Sequence, residues 1–80
     1  MPTSVVEFNA SAMDVTTDEF TLRVALVDGR EISAPLEWFP RLRNATPEQL
    51  KGWQLIGRGD GIHWEELDED ISVASLLRQR

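Results

Sequence analysis

The sequence predicts an α+β fold, a small antiparallel sheet with short helices packed on one face. Three observations carry the prediction. Period-two alternation runs through Phe20-Thr21-Leu22-Arg23-Val24-Ala25-Leu26, an Asp28-Gly29 pair follows it as a hairpin signal, and Thr46-Pro47-Glu48-Gln49 spells a helix start. With 80 residues, 41% of them hydrophobic and 28% charged, the chain reads as a single globular domain over 1–80. A chain of this size buries only about 60% of the surface its unfolded form exposes, so its core is modest.

The first 35 residues read as strands. Val5, Val6 and Phe8 suggest a short first strand, and Met13-Asp14-Val15-Thr16 alternates and is rich in strand formers. Phe20, Leu22, Val24 and Leu26 share one face in the clearest strand. A two-residue Asp28-Gly29 loop would set Glu31 against Leu26 and Ser33 against Val24, polar groups on the core side. A three-residue loop, Val27-Asp28-Gly29 with Gly29 left-handed, instead sets Ile32 opposite Val24 and Ala34 opposite Leu22. The bulged loop is therefore expected, and Gly29→Val should destabilise the domain by forcing a β-branched residue to positive φ.

Pro35 ends that strand, and Pro40 limits Leu36–Leu42 to one helical turn on either side of itself. Thr46 is placed as N-cap, Pro47 at the first helical position and Gln49 as the closing residue of a capping box. The helix is short, with Leu50 and Trp53 on one face and Gly52 weakening its end. Two short strands follow, Trp53–Gly57 and Gly61–Trp64, around the turn Arg58-Gly59-Asp60. A last helix over Val73–Arg78 begins at the N-cap Ser72, with Ile71 and Leu76 spaced as a hydrophobic staple and Leu76 and Leu77 turned inward. Asp68, Glu69 and Asp70 precede it, where negative charge suits the helix dipole.

Composition excludes several chemistries. The chain has no cysteine, so thiolate zinc sites, disulfides and cysteine nucleophiles are ruled out, and a reducing compartment is favoured. Neither a signal peptide nor an apolar run near 20 residues is read, which makes the cytoplasm of a bacterium the expected location and the membrane an unexpected partner. The formal net charge of −6 argues against direct nucleic-acid binding, where phosphate neutralisation dominates affinity. Charge is unevenly spread. Residues 41–58 hold Arg41, Arg43, Lys51 and Arg58 against Glu48, whereas residues 60–70 hold six acids and no Lys or Arg. These poles could pair internally or face a partner.

No catalytic constellation is visible, and no cofactor or metal is called for. His63 is the single histidine and has neither a nucleophile nor an orienting group that the sequence can point to. An alternative ligand site gathers His63, Trp64, Asp68 and Asp70, with Glu65 and Glu66 nearby, but such carboxylates also suit a solvated run before a helix. Gly57-Arg58-Gly59-Asp60-Gly61 resembles a phosphate cradle only in composition. A strand follows it instead of a helix N-terminus, and Asp60 would repel phosphate. The three tryptophans, Trp38, Trp53 and Trp64, fill the core on the plainest reading. Alternatively, Trp38 and Phe39 with Arg41, Leu42 and Arg43 form a partner-binding ridge of the residue types that anchor interfaces.

The order Asp28-Gly29-Arg30, Pro35-Leu36, Trp38-Phe39-Pro40-Arg41-Leu42 and Ala45-Thr46-Pro47-Glu48 resembles the prokaryotic domain-of-unknown-function family 2442. The match continues through Leu55-Ile56-Gly57, Gly59, Gly61-Ile62-His63-Trp64, Leu67-Asp68-Glu69-Asp70-Ile71-Ser72 and Leu76-Leu77, covering about residues 28–77. Glu65 departs from the pattern, because the family commonly has proline there. The resemblance implies a small α+β fold without an established activity. It also implies a habit of pairing with a neighbouring gene in a toxin–antitoxin-like arrangement, or of preceding a helix-turn-helix unit for which this chain, ending at Arg80, has no room. The expected function is a non-catalytic protein-interaction module, antitoxin-like, whose partner is a second copy or a small neighbouring-gene product. A small-ligand or metal-binding domain around His63 is the alternative.

Overall fold

A computed structural model describes residues 9–78. The strand expected at Val5, Val6 and Phe8 lies outside them. The α+β class is as the sequence predicts, but the strands divide into two antiparallel three-stranded sheets. The first sheet is β1 (Ala12–Thr17), β2 (Thr21–Leu26) and β3 (Glu31–Pro35), in that order. The second is β4 (Trp53–Ile56), β5 (Gly61–Trp64) and β6 (Glu69–Ser72), again in chain order. Between them run a 3-10 turn at Leu36–Trp38 and the helices α1 (Pro40–Arg43) and α2 (Pro47–Leu50). Helix α3 (Val73–Arg78) closes the described chain and packs on β3, β5 and β6, so it spans both sheets.

The β2–β3 hairpin takes the register the hydrophobic pattern demands. Val24 faces Ile32, Leu22 faces Ala34, and Gly29 sits at φ 95° in the three-residue loop. In β1 a bulge between Ala12 and Asp14 turns both Ala12 and Val15 into the core, three residues apart, leaving Met13 outside. Phe20 departs from its expected place on the core face and is 67% exposed. Asp18 Oδ1 accepts the backbone N–H groups of Phe20 (2.9 Å) and Thr21 (2.8 Å), a local turn that throws Phe20 outward before β2 begins.

The connecting helices follow their signatures. Thr46 Oγ1 accepts the Gln49 N–H at 3.1 Å, and Gln49 Oε1 accepts the Thr46 N–H at 2.9 Å, a complete capping box. Helix α2 ends at Leu50, and Trp53 opens β4, so the two do not share a helical face. Ser72 Oγ accepts the Ser75 N–H at 2.9 Å and caps α3, as expected. The acidic run before it is not a loop, however. Glu69–Ser72 forms β6, with Ile62 opposite Ile71 and His63 opposite Asp70. In α3, Val73 and Leu76 share the buried face, and Leu77, a further 100° round the helix, is exposed.

One core joins the two sheets. Leu22, Val24 and Leu26 from β2 meet Ile62 and Trp64 from β5, with Leu42 and Leu50 from the linking helices and Leu76 from α3. The indole nitrogen of Trp64 donates to the Leu50 carbonyl at 3.1 Å, which satisfies its one polar group in a fully buried setting. The sheets are joined at β1 and the β4–β5 turn, where the Ala12 N–H donates to the Gly59 carbonyl at 2.8 Å. Gly59 has φ 89°, and a Cβ there would lie 2.5 Å from the Ala12 carbonyl oxygen. Only glycine fits that joint without moving the backbone. No helix among the described residues is long and apolar enough to cross a membrane.

Candidate functional site

Away from the Ala12–Gly59 joint, a cleft of about 620 Å³ opens beside β1 and the start of β4. Leu36, Leu42 and Leu50 supply its apolar base, and Trp53 and Ala45 its partly buried walls. Val15 to Glu19 line one side; Arg43 and Lys51, from α1 and the end of α2, line another. The fold creates the cleft by a simple conflict. Pro40 and Pro47 each start a helix of four residues, and helices that short leave a recess above Leu36, Leu42 and Leu50, which are themselves buried. Of the two acids that line the cleft, Asp18 and Glu19, the first is engaged. Asp18 accepts the Phe20 backbone N–H, holds Arg23 at 2.6 Å and accepts the Thr21 N–H, and these bonds, in that order, lower its pKa below the ordinary 3.8. Its charge is spent on the turn before β2.

The expected partner-binding ridge does not survive as one surface. Trp38 is 43% exposed and available. Phe39 is half-buried against the core, and Leu42 is fully buried. Leu42 therefore cannot be a surface anchor, because one turn of α1 with outward Arg41 and Arg43 must place it inward. Arg41 turns to the β5–β6 turn, where it donates to the Asp68 carbonyl and lies 3.9 Å from Glu69 Oε1. Gln49 Nε2 donates to Glu66 Oε1 at 3.1 Å on the same side. Part of the basic middle thus pairs internally with the acidic segment. Of the ridge, Leu42 in the base and Arg43 at the side reach the cleft.

The alternative grouping of His63, Trp64, Asp68 and Asp70 is also divided. Adjacent strand residues point to opposite faces, so Trp64 goes into the core while His63 remains half-accessible. Asp68 occupies a left-handed conformation (φ 52°) in the four-residue turn 65–68, and its exposed carboxylate lies 3.8 Å from Arg41. His63 and Asp70 do meet, as a cross-strand pair through Nδ1 and Oδ1. Glu65 Oε1 lies 3.2 Å from Nε2. Hydrogen bonding to Asp70, then to Glu65, raises the His63 pKa above its ordinary 6.5. Both ring nitrogens are engaged by carboxylates. Among the described residues, no group of three or more His, Asp or Glu side chains is arranged to hold a metal ion.

The sequence did not point to the cleft, because its lining comes from β1, the 3-10 turn, α1, α2 and β4 without a contiguous motif. The one available signal is the pair of cations, Arg43 and Lys51, beside short proline-started helices. Comparison with known proteins is consistent with this architecture. A model of the family described as "Protein of unknown function (DUF2442)" matches residues 12–80. No curated protein matches. The crystal structure of a protein of unknown function from Rhodospirillum rubrum ATCC 11170 is similar at a TM-score of 0.72 and 30% identity, covering 84% of this chain and 83% of that one.

Proposed function

The chain belongs to the DUF2442 family, and from that premise we propose that it is a non-catalytic protein-interaction module whose docking site is the cleft between β1, α2 and β4. One observation carries the reading. A cleft of about 620 Å³ with an apolar base of Leu36, Leu42 and Leu50 has two cations, Arg43 and Lys51, and two acids, Asp18 and Glu19, along its sides. Apolar concavity with a few charged groups is the usual form of a binding site. In an 80-residue domain with a small core, covering that surface would also add stability. The partner is a small protein encoded by the neighbouring gene, in an antitoxin-like pair, and the setting is the bacterial cytoplasm, which suits a cysteine-free chain. The ligand site around His63 has less support, since Trp64 and Asp68 face away from it.

The test is co-expression with the adjacent open reading frame, followed by co-purification. A complex that persists at micromolar concentration and is lost in Thr16→Trp, which places an indole at the mouth of the cleft, is the expected result. Thr16 is exposed on β1, where tryptophan is a good strand former, so the fold should hold. No complex, or one indifferent to Thr16→Trp, rejects the reading.

A further inference from the structure

The four outer edges of the two sheets are treated differently by the sequence. An exposed edge offers unpaired N–H and C=O groups to any extended chain, and folded proteins guard such edges with charge, proline or cover. The β3 edge carries Glu31 and Pro35 and has α3 packed nearby. The β6 edge carries Glu69 and Asp70. The β1 edge carries Asp14 and is tied at Ala12 to Gly59. The β4 edge, Trp53-Gln54-Leu55-Ile56, has no charge and no proline, and both Leu55 and Ile56 are exposed. Although β1 touches β4, no ladder joins them among the described residues. Among the described residues one edge is unguarded, and it opens into the cleft through Trp53.

Charge specifies what would fit there. Lys51 precedes the strand and Arg58 follows it, and Arg43 lies across the cleft. Among the described residues none of the three makes an ion pair. A second copy is a poor occupant. Antiparallel pairing of β4 with itself about Gln54 and Leu55 sets Lys51 of one copy opposite Arg58 of the other, and a one-residue slip leaves the cations adjacent. Like charges placed opposite one another oppose pairing. We infer that β4 receives an extended segment of the partner protein as an added antiparallel strand, with carboxylates opposite Lys51 and Arg58 and an apolar side chain entering the cleft. This inference rests on the cleft being the docking site. Of the cations without an ion pair among the described residues, Arg43, Lys51 and Arg58 lie around this one uncharged strand, and Arg78 lies on α3. Main-chain hydrogen bonds would supply affinity, and the terminal charges would fix direction and register.

The probe is an eight-residue capped peptide of alternating valine and threonine with glutamate at both ends, its length matching Lys51 to Arg58. A second peptide with lysine at both ends is the control. Amide chemical shifts and hydrogen exchange are followed by NMR during titration. The glutamate peptide is expected to bind at least about ten-fold more tightly than the lysine peptide and to protect β4 amides. That preference should invert in the Lys51→Glu/Arg58→Glu variant. Equal binding of the two peptides, protection confined to β3 or β6, or no response to either peptide overturns the inference. The co-purification assay separates the two levels. A neighbouring protein lost with Thr16→Trp but retained by Lys51→Glu/Arg58→Glu leaves the cleft as docking site and rejects the strand.

Discussion

The two sheets have the same strand order and opposite exposure. In the first, β2 alternates between buried and half-buried residues, and Leu22, Val24 and Leu26 form a continuous apolar row. In the second, the central β5 is almost wholly buried whereas its neighbour β4 is exposed at three of four positions. Both sheets use short strands, so length does not explain the difference. Position does. The first sheet has a face of its own to bury, while the second relies on Ile62 and Trp64 to reach the shared core and leaves β4 with little to cover it. Stability is concentrated in β2 and β5, and the surface left over by that arrangement is the cleft and the β4 edge.

Trp64→Ala should break this arrangement most severely. Removing a fully buried indole costs about 3–5 kcal/mol, comparable with the 5–15 kcal/mol total of a typical domain. It also leaves the Leu50 carbonyl without its donor. Leu22→Ala in the first sheet should cost about 2–5 kcal/mol, toward the lower part of that range because the side chain is smaller. Urea denaturation followed by far-ultraviolet circular dichroism gives both values. A loss below about 1 kcal/mol in Trp64→Ala would contradict the dependence of the second sheet on that residue.

Of the three glycines at positive φ, Gly29 and Gly59 sharpen the contrast between a hairpin and a joint. Gly29→Ala places a Cβ in open space, so only the backbone conformation is penalised, by about 1–2 kcal/mol. Gly59→Ala carries the same penalty and also drives its Cβ against the Ala12 backbone. Breaking the Ala12–Gly59 hydrogen bond should bring the total to about 2–4 kcal/mol. Thermal melts should therefore rank Gly59→Ala below Gly29→Ala, and equal melting temperatures would mean that the joint yields easily. Between the sheets, Thr46→Ala should cost about 1 kcal/mol by removing the acceptor for the Gln49 N–H. Thr46→Ser should recover most of it in the same melts.

Legibility in the sequence followed locality. The β2–β3 register was readable because one slip would have put Ser33 and Glu31 on the core side, and the capping box was readable because its four residues are contiguous. Strand β6 was not readable. Glu69 and Asp70 suggest a solvated run, and only pairing with β5 makes them a strand. Phe20 fitted a period-two pattern, yet the Asp18 turn overrode it. Arg41 and Arg43 flank Leu42 and suggest an exposed ridge, but a single helical turn turns the one residue between them inward. The cleft draws on β1, the 3-10 turn, α1, α2 and β4, and no pattern within one segment announces it.

The smallest expected effect concerns the second sheet alone and depends on proton binding. The His63 pKa is raised in the folded chain, by hydrogen bonding to Asp70 and then to Glu65. A group whose folded pKa exceeds its unfolded value contributes stability that is fully present below the unfolded value of 6.5 and disappears as pH rises through the folded one. Asp18 and Asp28 act in the opposite sense. Their folded pKa values lie below 3.8, so their contributions are lost only as pH falls into the acid range. They do not interfere near neutrality. Urea midpoints measured from about pH 5.5 to about pH 9 should fall with rising pH in the parent chain and become flat in His63→Gln. Asp70→Asn should remove more of the slope than Glu65→Gln, because Asp70 is the larger cause of the shift. A slope that persists in His63→Gln would assign it to some other group and detach this cross-strand pair from the stability of β5 and β6.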